Sequence, residues 1–308
     1  MRICSLLPSA TEILYALGLG DDIVGVSHEC DYPLDALHKP KVIRTVIDQD
    51  RCSSEEIDRT VRASLERRES LYQLDAEAFA RARPDLVITQ ELCEVCAINS
   101  DHVLDALRRL PHRPRIISLH SHTLEESLED IRLVGEATSR PVEAQRLIRS
   151  CRERIERVKA RLAGIARRPR VVCIEWLNPP MATGHWVPEM VELAGGVEVL
   201  GRAGQPSRYV TGDEVAAARP DALIFMPCGF PIERTRDELP VLTGQSWWNE
   251  LSDVCREQVY LVNGPAYFNR SGPRLIDGIE ILSGLLHPER CAELVPRGAA
   301  EPLRRVPA

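Results

Sequence analysis

The chain has 308 residues, of which 44% are hydrophobic and 28% charged, and its formal net charge is −7. This length predicts two domains of about 150 residues each, and the composition is that of an ordinary globular protein. The negative charge and the lack of a basic patch interleaved with aromatic residues exclude nucleic acid as an expected partner.

The amino terminus lacks the pattern of an export signal. Such a signal requires a long apolar core and a small-residue cleavage site, whereas the apolar run here is short and continues directly into Pro8. No stretch approaches the roughly 18 apolar residues that a membrane span requires. We therefore expect a cytoplasmic protein without a membrane span, or a periplasmic one if a leader has been removed.

The first half of the chain alternates short apolar runs with helical patterns. A strand over residues 2–6 leads to a helix over residues 11–17 that ends at Gly18. A capping box formed by Ser53 and Glu56 opens a further helix. The other elements predicted here are a helical insertion over about residues 51–72 and strands over residues 23–26, 85–89 and 115–119.

The middle of the chain, residues 123–168, carries apolar side chains at helical spacing. The spacing predicts two helices, the second beginning at Pro141 and running to about residue 167. A single long helix between two domains acts as a stiff connector.

The second half repeats the plan of the first. Residues 80–88, Ala-Arg-Ala-Arg-Pro-Asp-Leu-Val-Ile, reappear as Ala-Ala-Ala-Arg-Pro-Asp-Ala-Leu-Ile at residues 216–224. In both copies we expect a helix to end at Arg-Pro, because proline disfavours the α conformation in the residue before it, and a strand to follow. The other elements predicted here are strands over residues 170–175, 221–226 and 258–262 and helices over residues 189–194 and 275–286.

The repeat favours two similar α/β lobes over one continuous α/β domain. The predicted parts are an amino-terminal lobe over residues 1–122, connecting helices over residues 123–168, a carboxy-terminal lobe over residues 169–290 and a disordered tail over residues 291–308.

Several motifs then point to a known family. They are Ser-Leu-Leu-Pro-Ser-Ala-Thr-Glu at residues 5–12, Gly-Val-Ser-His-Glu-Cys-Asp-Tyr-Pro at residues 25–33, Arg-Pro-Asp-Leu-Val-Ile at residues 83–88, and Asn-Pro-Pro at residues 178–180 followed by Gly184. In this order, across about residues 2–287, the chain resembles the class III, helical-backbone substrate-binding proteins of ABC importers. It is most similar to their vitamin B12-binding members and, lacking an export signal, to a signal-less cytoplasmic branch.

The resemblance implies two Rossmann-like lobes bridged by one long helix, a ligand held in the cleft between them, and an ABC permease as partner. Because the family also includes receptors for haem, ferric siderophores and metals, the fold alone does not fix the ligand. The missing export signal puts docking on an outward-facing permease in doubt.

Candidate ligand contacts follow from the rule that ligands of open α/β sheets bind beyond the carboxyl ends of the strands. Large aromatic side chains at such ends suit a flat macrocycle, although Trp186 and Phe230 could equally fill lobe interiors. Glu175 and Arg270 could contact polar ligand groups, or be a solvated carboxylate and a structural salt bridge. The predicted ligand-binding residues are Ser9, His28, Glu29, Tyr32, Gln90, Glu175, Trp176, His185, Trp186, Phe230, Tyr267, Phe268 and Arg270.

Thiols form a second candidate site. The chain has ten cysteines, which in a reducing compartment are thiols, metal ligands or redox groups rather than structural disulfides. Cys30, Cys93, Cys96 and Cys228 fall on predicted loops and together could hold zinc or an iron–sulfur cluster. Unliganded thiols are the alternative, and His28 or His185 could instead approach the metal of a macrocycle.

The sequence thus predicts a ligand-binding protein for a corrinoid such as cobalamin, or a related metal macrocycle. The alternatives are a cytoplasmic zinc or iron–sulfur metalloprotein or redox enzyme, and an importer receptor for haem or a ferric siderophore. No Gly-x-Ser-x-Gly, Walker or His-Glu-x-x-His motif indicates an enzyme.

Overall fold

A computed structural model describes residues 1–49, 51–67, 69–90, 113–251, 255 and 257–303. Internal contacts divide the chain into two compact units. Unit 1 comprises Met1–Ser121 and Glu125–Arg149, and unit 2 comprises His122–Leu124 and Ser150–Ala308. The short segment His122–Leu124 therefore belongs to the second unit although its neighbours on both sides belong to the first.

Unit 1 is built on a six-stranded sheet in the order β4-β3-β2-β1-β5-β6, in which all neighbouring pairs are parallel except β3 with β4. Its strands are β1 (Ile3–Ser5), β2 (Ile23–Ser27), β3 (Lys41–Thr45), β4 (Tyr72–Leu74), β5 (Leu86–Gln90) and β6 (Arg115–Leu119). Its helices include α1 (Pro8–Ala16), α2 (Ser54–Arg67) and α3 (Ala76–Ala82), with 3₁₀ turns at Gly20–Asp22 and Leu34–His38. The central strands β1, β2 and β5 are mostly apolar and largely buried, as expected for parallel strands covered by helices.

Unit 2 is built on a second sheet in the order β10-β8-β7-β11-β12-β13, with β9 also paired to β7. The pairs β7–β11 and β11–β12 are parallel. Its strands are β7 (Arg170–Leu177), β8 (Pro180–Ala182), β9 (Val197–Glu198), β10 (Arg208–Tyr209), β11 (Ala222–Phe225), β12 (Val259–Val262) and β13 (Ala300–Pro302).

The other described helices belong to the connecting segment and to unit 2. Two of them, α4 (Leu124–Ala137) and α5 (Pro141–Leu162), form the connecting segment. The helices of unit 2 are α6 (Val187–Leu193), α7 (Gly212–Ala217), α8 (Ile232–Glu238), α9 (Pro240–Thr243), α10 (Ser246–Glu250), α11 (Gly264–Tyr267), α12 (Leu275–Leu286) and α13 (Pro288–Cys291).

The long helix α5 starts in unit 1 and ends in unit 2. Its first turns lie against α4, where a Cβ added to Gly135 would come within 2.4 Å of the Ala144 Cβ. Its later turns are tied to α12 by Arg154, whose guanidinium donates to Glu280 (2.9 Å from Nε) and to Asp277. The connecting segment expected over residues 123–168 is thus shared between the units, and one helix bridges them.

The repeat predicted from the sequence has an atomic counterpart. Asp85 accepts a hydrogen bond from the backbone N–H of Arg2 at 2.8 Å, and Asp221 accepts one from that of Arg170, also at 2.8 Å. The two arginine side chains then donate to carbonyls at the ends of α3 and α7. The residues before the prolines, Arg83 and Arg219, have positive φ angles of 41° and 46°. Each unit therefore holds the start of its first strand by the same two contacts, the aspartate that accepts from the backbone N–H and the arginine side chain that donates to the helix end. We call this pair of contacts the clasp.

The carboxy-terminal segment departs from the sequence-based expectation. Residues 291–303, expected in a disordered tail, end in β13, which pairs antiparallel with β12 through Tyr260 and Pro302. The edge of β12 offers unpaired backbone groups, and this pairing satisfies them whatever the composition of the tail.

The capping box predicted at Ser53 and Glu56 is present at the start of α2, with both backbone N–H groups hydrogen-bonded.

In the described part of the chain, no helix has the length and apolarity required to cross a membrane.

A buried carboxylate attaches α4 to the end of β6. Asp130 is 6% exposed and accepts hydrogen bonds from the Ser121 hydroxyl, at 2.5 Å, and from the backbone N–H of His120. Burial raises the pKa of Asp130 to about 6, while Ser121 and His120 lower it and Glu126 raises it. Because this folded-state pKa lies above the ordinary value of 3.8, the folded state retains the proton more tightly than the unfolded chain.

Stability should therefore fall as pH rises through the interval between the two pKa values, and the full cost is present above pH 6. Asp130→Asn carries no charge at this position and lacks this pH dependence. We expect the unfolding free energy of wild type to fall by about 2 kcal/mol relative to that of Asp130→Asn as pH rises from about 4.5 to 7.5. Urea denaturation of both proteins across this range measures it. Glu125→Gln, which removes an exposed carboxylate from the same helix, is the control, and an equally large pH dependence there would contradict the assignment.

Candidate functional site

The predicted ligand contacts lie at the carboxyl edges of the two sheets, each within its own unit. In unit 1 the relevant segments follow β1 and β2 and end β5. In unit 2 they end β7 and follow β11 and β12, which are parallel, and one further segment follows β8, which pairs antiparallel with β7.

At the edge of unit 1, Ser9 and Cys30 belong to the interior. Ser9 is 3% exposed on α1 and Cys30 is 1% exposed in the loop after β2. The Thr11 hydroxyl lies 2.8 Å from Ser5 Oγ and 3.1 Å from Cys30 Sγ, forming a buried polar cluster. Cys30 therefore anchors its loop to α1.

The same loop is held from the other side by Lys41 of β3. Its amine donates to the carbonyl of Cys30 at 2.9 Å and to that of Ala36 at 3.3 Å, and burial lowers its pKa. The fixed loop leaves Tyr32 46% exposed, next to the exposed Asp31. Tyr32 thus presents an aromatic face at this edge.

His28 is half-buried beside Tyr72 of β4, with ring centroids 5.9 Å apart. Its Nε2 is buried and has no hydrogen-bond partner among the described residues, and the nearest Glu29 oxygen is 3.8 Å away. Burial lowers the pKa of His28 below its ordinary value, and the nearby Glu29 carboxylate partly opposes this by raising it. A buried ring nitrogen without a partner is unusual, because buried polar atoms are normally satisfied. Gln90, the last residue of β5, is half-buried at the same edge.

At the edge of unit 2, an aromatic pair lies where β7 and β11 end. Trp176, near the end of β7, is half-buried and packs against Phe230 with ring centroids 5.2 Å apart. Phe230 is 2% exposed, and the Arg234 guanidinium lies 5.0 Å from its ring centroid. The nearly buried Phe230 thus supports the half-buried Trp176. Glu175, beside Trp176, is half-buried.

A second aromatic group lies in the loop before α6. The His185 ring lies 5.6 Å from the Trp186 ring and 5.6 Å from the His122 ring, the latter nearly stacked at 27°. Trp186 is 8% exposed, and its indole N–H donates to the carbonyl of Phe268 at 2.7 Å. Burial lowers the pKa of His185, and so does the neighbouring His122.

The loop after β12 supplies the last predicted contacts. Phe268 is 1% exposed, whereas Tyr267 and Arg270 are half-buried. The Arg274 guanidinium lies 5.7 Å from the Tyr267 ring centroid. Asn269 donates from its amide to the carbonyl of Met226 at 3.2 Å and so joins this loop to the one that carries Phe230.

The four candidate thiol ligands are not brought together by the described residues. Cys30 is buried in unit 1, and Cys228 is exposed in unit 2, where its backbone N–H donates to Glu175 at 3.0 Å. Cys93 and Cys96 lie outside the described residues. Among those that are described, no group of three or more histidine, cysteine, aspartate or glutamate side chains is placed to hold a metal ion. The structure thus gives no support for a zinc or iron–sulfur centre.

Sequence reasoning missed His122 and Lys41. Each acts through a contact between segments that are distant in the chain, and no local pattern marks such contacts. The only sequence signal at His122 is its position, three residues after the end of β6.

Comparison with known proteins identifies relatives of this chain. The model of the periplasmic binding protein family matches residues 3–263. The vitamin B12-binding protein of Vibrio cholerae serotype O1 (strain El Tor Inaba N16961) is 28% identical over 285 residues, covering 91% of this chain and 86% of that protein. The ABC transporter substrate-binding lipoprotein YvrC of Bacillus subtilis (strain 168) is 25% identical over 300 residues, covering 95% and 82%.

Solved structures agree on the fold. The periplasmic vitamin B12 binding protein BtuF of Vibrio cholerae matches with a TM-score of 0.64 and 25% identity, covering 92% of this chain and 96% of that chain. The periplasmic heme-binding protein BhuT, solved with two hemes, matches with a TM-score of 0.68 and 19% identity, covering 96% and 99%. At that identity the second match bears on the fold alone. The predicted helical-backbone fold, two α/β lobes bridged by a long helix, is confirmed.

The burial of the thiols yields a test. Burial raises the pKa of Cys4 to about 12 and that of Cys151 to about 11, and the thiolate is the reactive form. We expect iodoacetamide to label Cys228 well before Cys4, Cys30 or Cys151 in the native protein, as followed by peptide mass spectrometry. Loss of the early label in Cys228→Ser is the control, and protection of Cys228 that a chelator relieves would instead indicate a bound metal.

Proposed function

Because the chain belongs to the periplasmic binding protein family, we propose that it binds a corrinoid, such as cobalamin, or a closely related metal macrocycle. The observation that carries the proposal is the half-buried Trp176, supported by Phe230 at the carboxyl edge of unit 2.

The relatives support a corrinoid in particular. A curated vitamin B12-binding protein shares 28% of its residues with this chain over nearly the whole length. The structure of a vitamin B12 binding protein matches at 25% identity, whereas the heme-binding structures match at 17 to 20%. Identity is therefore higher to the corrinoid-binding relatives than to these heme-binding ones.

The chemistry of the edge of unit 2 also suits such a ligand. A corrin ring is broad and apolar on its faces, and an indole buries a large area against it with little loss of conformational entropy. The ring carries amide side chains at its periphery, which donate and accept hydrogen bonds. Glu175 can accept from them and Arg270 can donate, while Tyr267 offers a further ring.

Unit 1 offers a complementary set at its own carboxyl edge. Tyr32 is exposed, Gln90 and Glu29 are half-buried, and the Nε2 of His28 has no hydrogen-bond partner within the part of the chain that the structure describes. Amide and imidazole groups are suited to hydrogen bonds with the periphery of a macrocycle. We include these residues among the ligand contacts. Ser9, Trp186 and Phe268 enter the proposal as supports, because they are 3%, 8% and 1% exposed.

The family also implies a permease as partner, since its members deliver small molecules to ABC transporters. The named relatives are periplasmic or lipoproteins. A cytoplasmic location for this chain stays a prediction, and fractionation of cells that express the full-length gene product checks it.

The proposal predicts the effect of removing the indole. Trp176→Ala should raise the Kd for hydroxocobalamin about tenfold, which corresponds to about 1.4 kcal/mol of binding free energy. Isothermal titration calorimetry with hydroxocobalamin, cobinamide and hemin measures this and ranks the ligands.

Trp248 provides a matched control. It is also half-buried, but it lies on helix α10 beside Trp247, with its ring 6.4 Å from that of Phe225 in β11. Trp248→Ala should lower stability and leave the Kd within twofold of wild type, at a temperature where both variants are folded. Equal losses of affinity in the two variants, or no binding of any of the three ligands by wild type, would count against the proposed function.

A further inference from the structure

The segment His122–Leu124 has a feature that the proposed function does not explain. These three residues belong to unit 2, although the strand before them and most of the helix after them belong to unit 1. His122 places its ring almost parallel to that of His185, at 5.6 Å and 27°. Two imidazoles from distant parts of the chain therefore meet near the carboxyl edge of unit 2.

The backbone of His185 is fixed independently of its side chain. Its N–H donates to the carbonyl of Gln205 at 2.7 Å, and its carbonyl accepts from Gly204 at 2.9 Å. It has a φ angle of 50°, which is uncommon for a residue other than glycine. The surrounding structure must stabilise such a conformation, because it is strained for a residue with a side chain.

The ring of His185 is held on a second side by Trp186. That indole cannot turn away, because it is nearly buried and its N–H is bonded to the carbonyl of Phe268 at 2.7 Å. The His185 ring therefore has two ring neighbours, Trp186 and His122, each with its centroid 5.6 Å away.

His122 itself is held in place by its neighbours. The backbone N–H of Leu124 donates to Glu189 at 2.7 Å, which attaches the segment to α6. The Thr123 methyl lies 3.6 Å from the position that a Cβ on Gly204 would occupy, so the segment also contacts the turn that holds the His185 backbone.

From these contacts we infer that His122 is a positioning residue: it fixes the imidazole of His185 so that one ring nitrogen of His185 is presented to the ligand. The inference rests on the proposed function. A neutral imidazole has one N–H and one acceptor nitrogen, so a ring of fixed orientation offers a defined donor or acceptor. Residues that orient a ligand-contacting histidine commonly change affinity about 10- to 100-fold when they are removed.

The experiment uses full-length protein with His122→Ala, His122→Phe and His185→Ala. Phenylalanine keeps a flat ring against His185 and lacks the nitrogens, so it restores positioning if stacking is the cause. Folding of each variant is checked by circular dichroism and thermal unfolding.

The first measurement needs no ligand. Nitrogen-15 correlation spectra of the histidine rings report the tautomer and the mobility of His185. We expect one sharp tautomer in wild type and in His122→Phe, and averaged or broadened signals in His122→Ala. Unchanged His185 signals in His122→Ala overturn the positioning role.

The second measurement uses diaquacobinamide, whose cobalt exchanges its axial waters, with hemin in parallel. We expect the visible spectrum of the probe to shift on binding to wild type, and the shift to disappear in His185→Ala. His122→Ala should lose about tenfold in affinity and show a smaller shift, and His122→Phe should recover both. Wild-type spectra and affinity in His122→Ala overturn the inference.

The proposed function and the role of His122 and His185 can be contradicted separately. Absence of binding of both probes to wild type, measured by equilibrium dialysis, overturns the proposed function and the ligand-directed part of this inference. Binding that persists in all variants with unchanged spectra overturns the role of His122 and His185 while the proposed function stands.

Discussion

Parallel pairing of the central strands is the constraint on which most of the candidate contacts depend. In unit 2, β7, β11 and β12 run in the same direction, so the segments that follow them emerge at one edge of the sheet. This brings Trp176 against Phe230 and joins Asn269 to Met226, although these residues are far apart in sequence. The same arrangement in unit 1 collects the loops after β1 and β2 at its carboxyl edge.

The clasp between the first strand and the Arg-Pro-Asp turn explains why two halves of one chain build the same scaffold. Asp85 and Asp221 each accept the backbone N–H at the start of the first strand of their unit, and thus set the register in which that strand enters the sheet. The clasp lies at the amino-terminal ends of the strands, away from the carboxyl edge. The repeated halves therefore share their structural residues, while the loops at the opposite edge differ and carry aromatic or polar side chains suited to a ligand.

Much of this fold could be predicted from the sequence, because apolar runs and Arg-Pro turns are local signals. Strands β1, β2, β5, β6, β7, β11 and β12 and helix α12 were predicted in this way. The short edge strands β9, β10 and β13 carry polar residues, and their pairing is decided by the neighbouring strand rather than by their own composition. Aromatic residues at strand ends indicated the candidate site, but sequence does not separate buried supports such as Phe230 from half-buried side chains such as Trp176. His122 was missed because its stacking on His185 joins segments with no shared pattern.

Hydrogen–deuterium exchange with and without saturating hydroxocobalamin tests the central claim most directly, because it reports where the ligand lies along the backbone. We predict slower exchange in peptides that contain residues 28–33 of unit 1 and residues 183–186, 226–231 and 263–270 of unit 2. Exchange at the opposite ends of the strands, around residues 83–85 and 219–221, should stay unchanged. Slowing confined to those opposite ends, or to the outer helices, would contradict a ligand held at the carboxyl edges of the parallel strands.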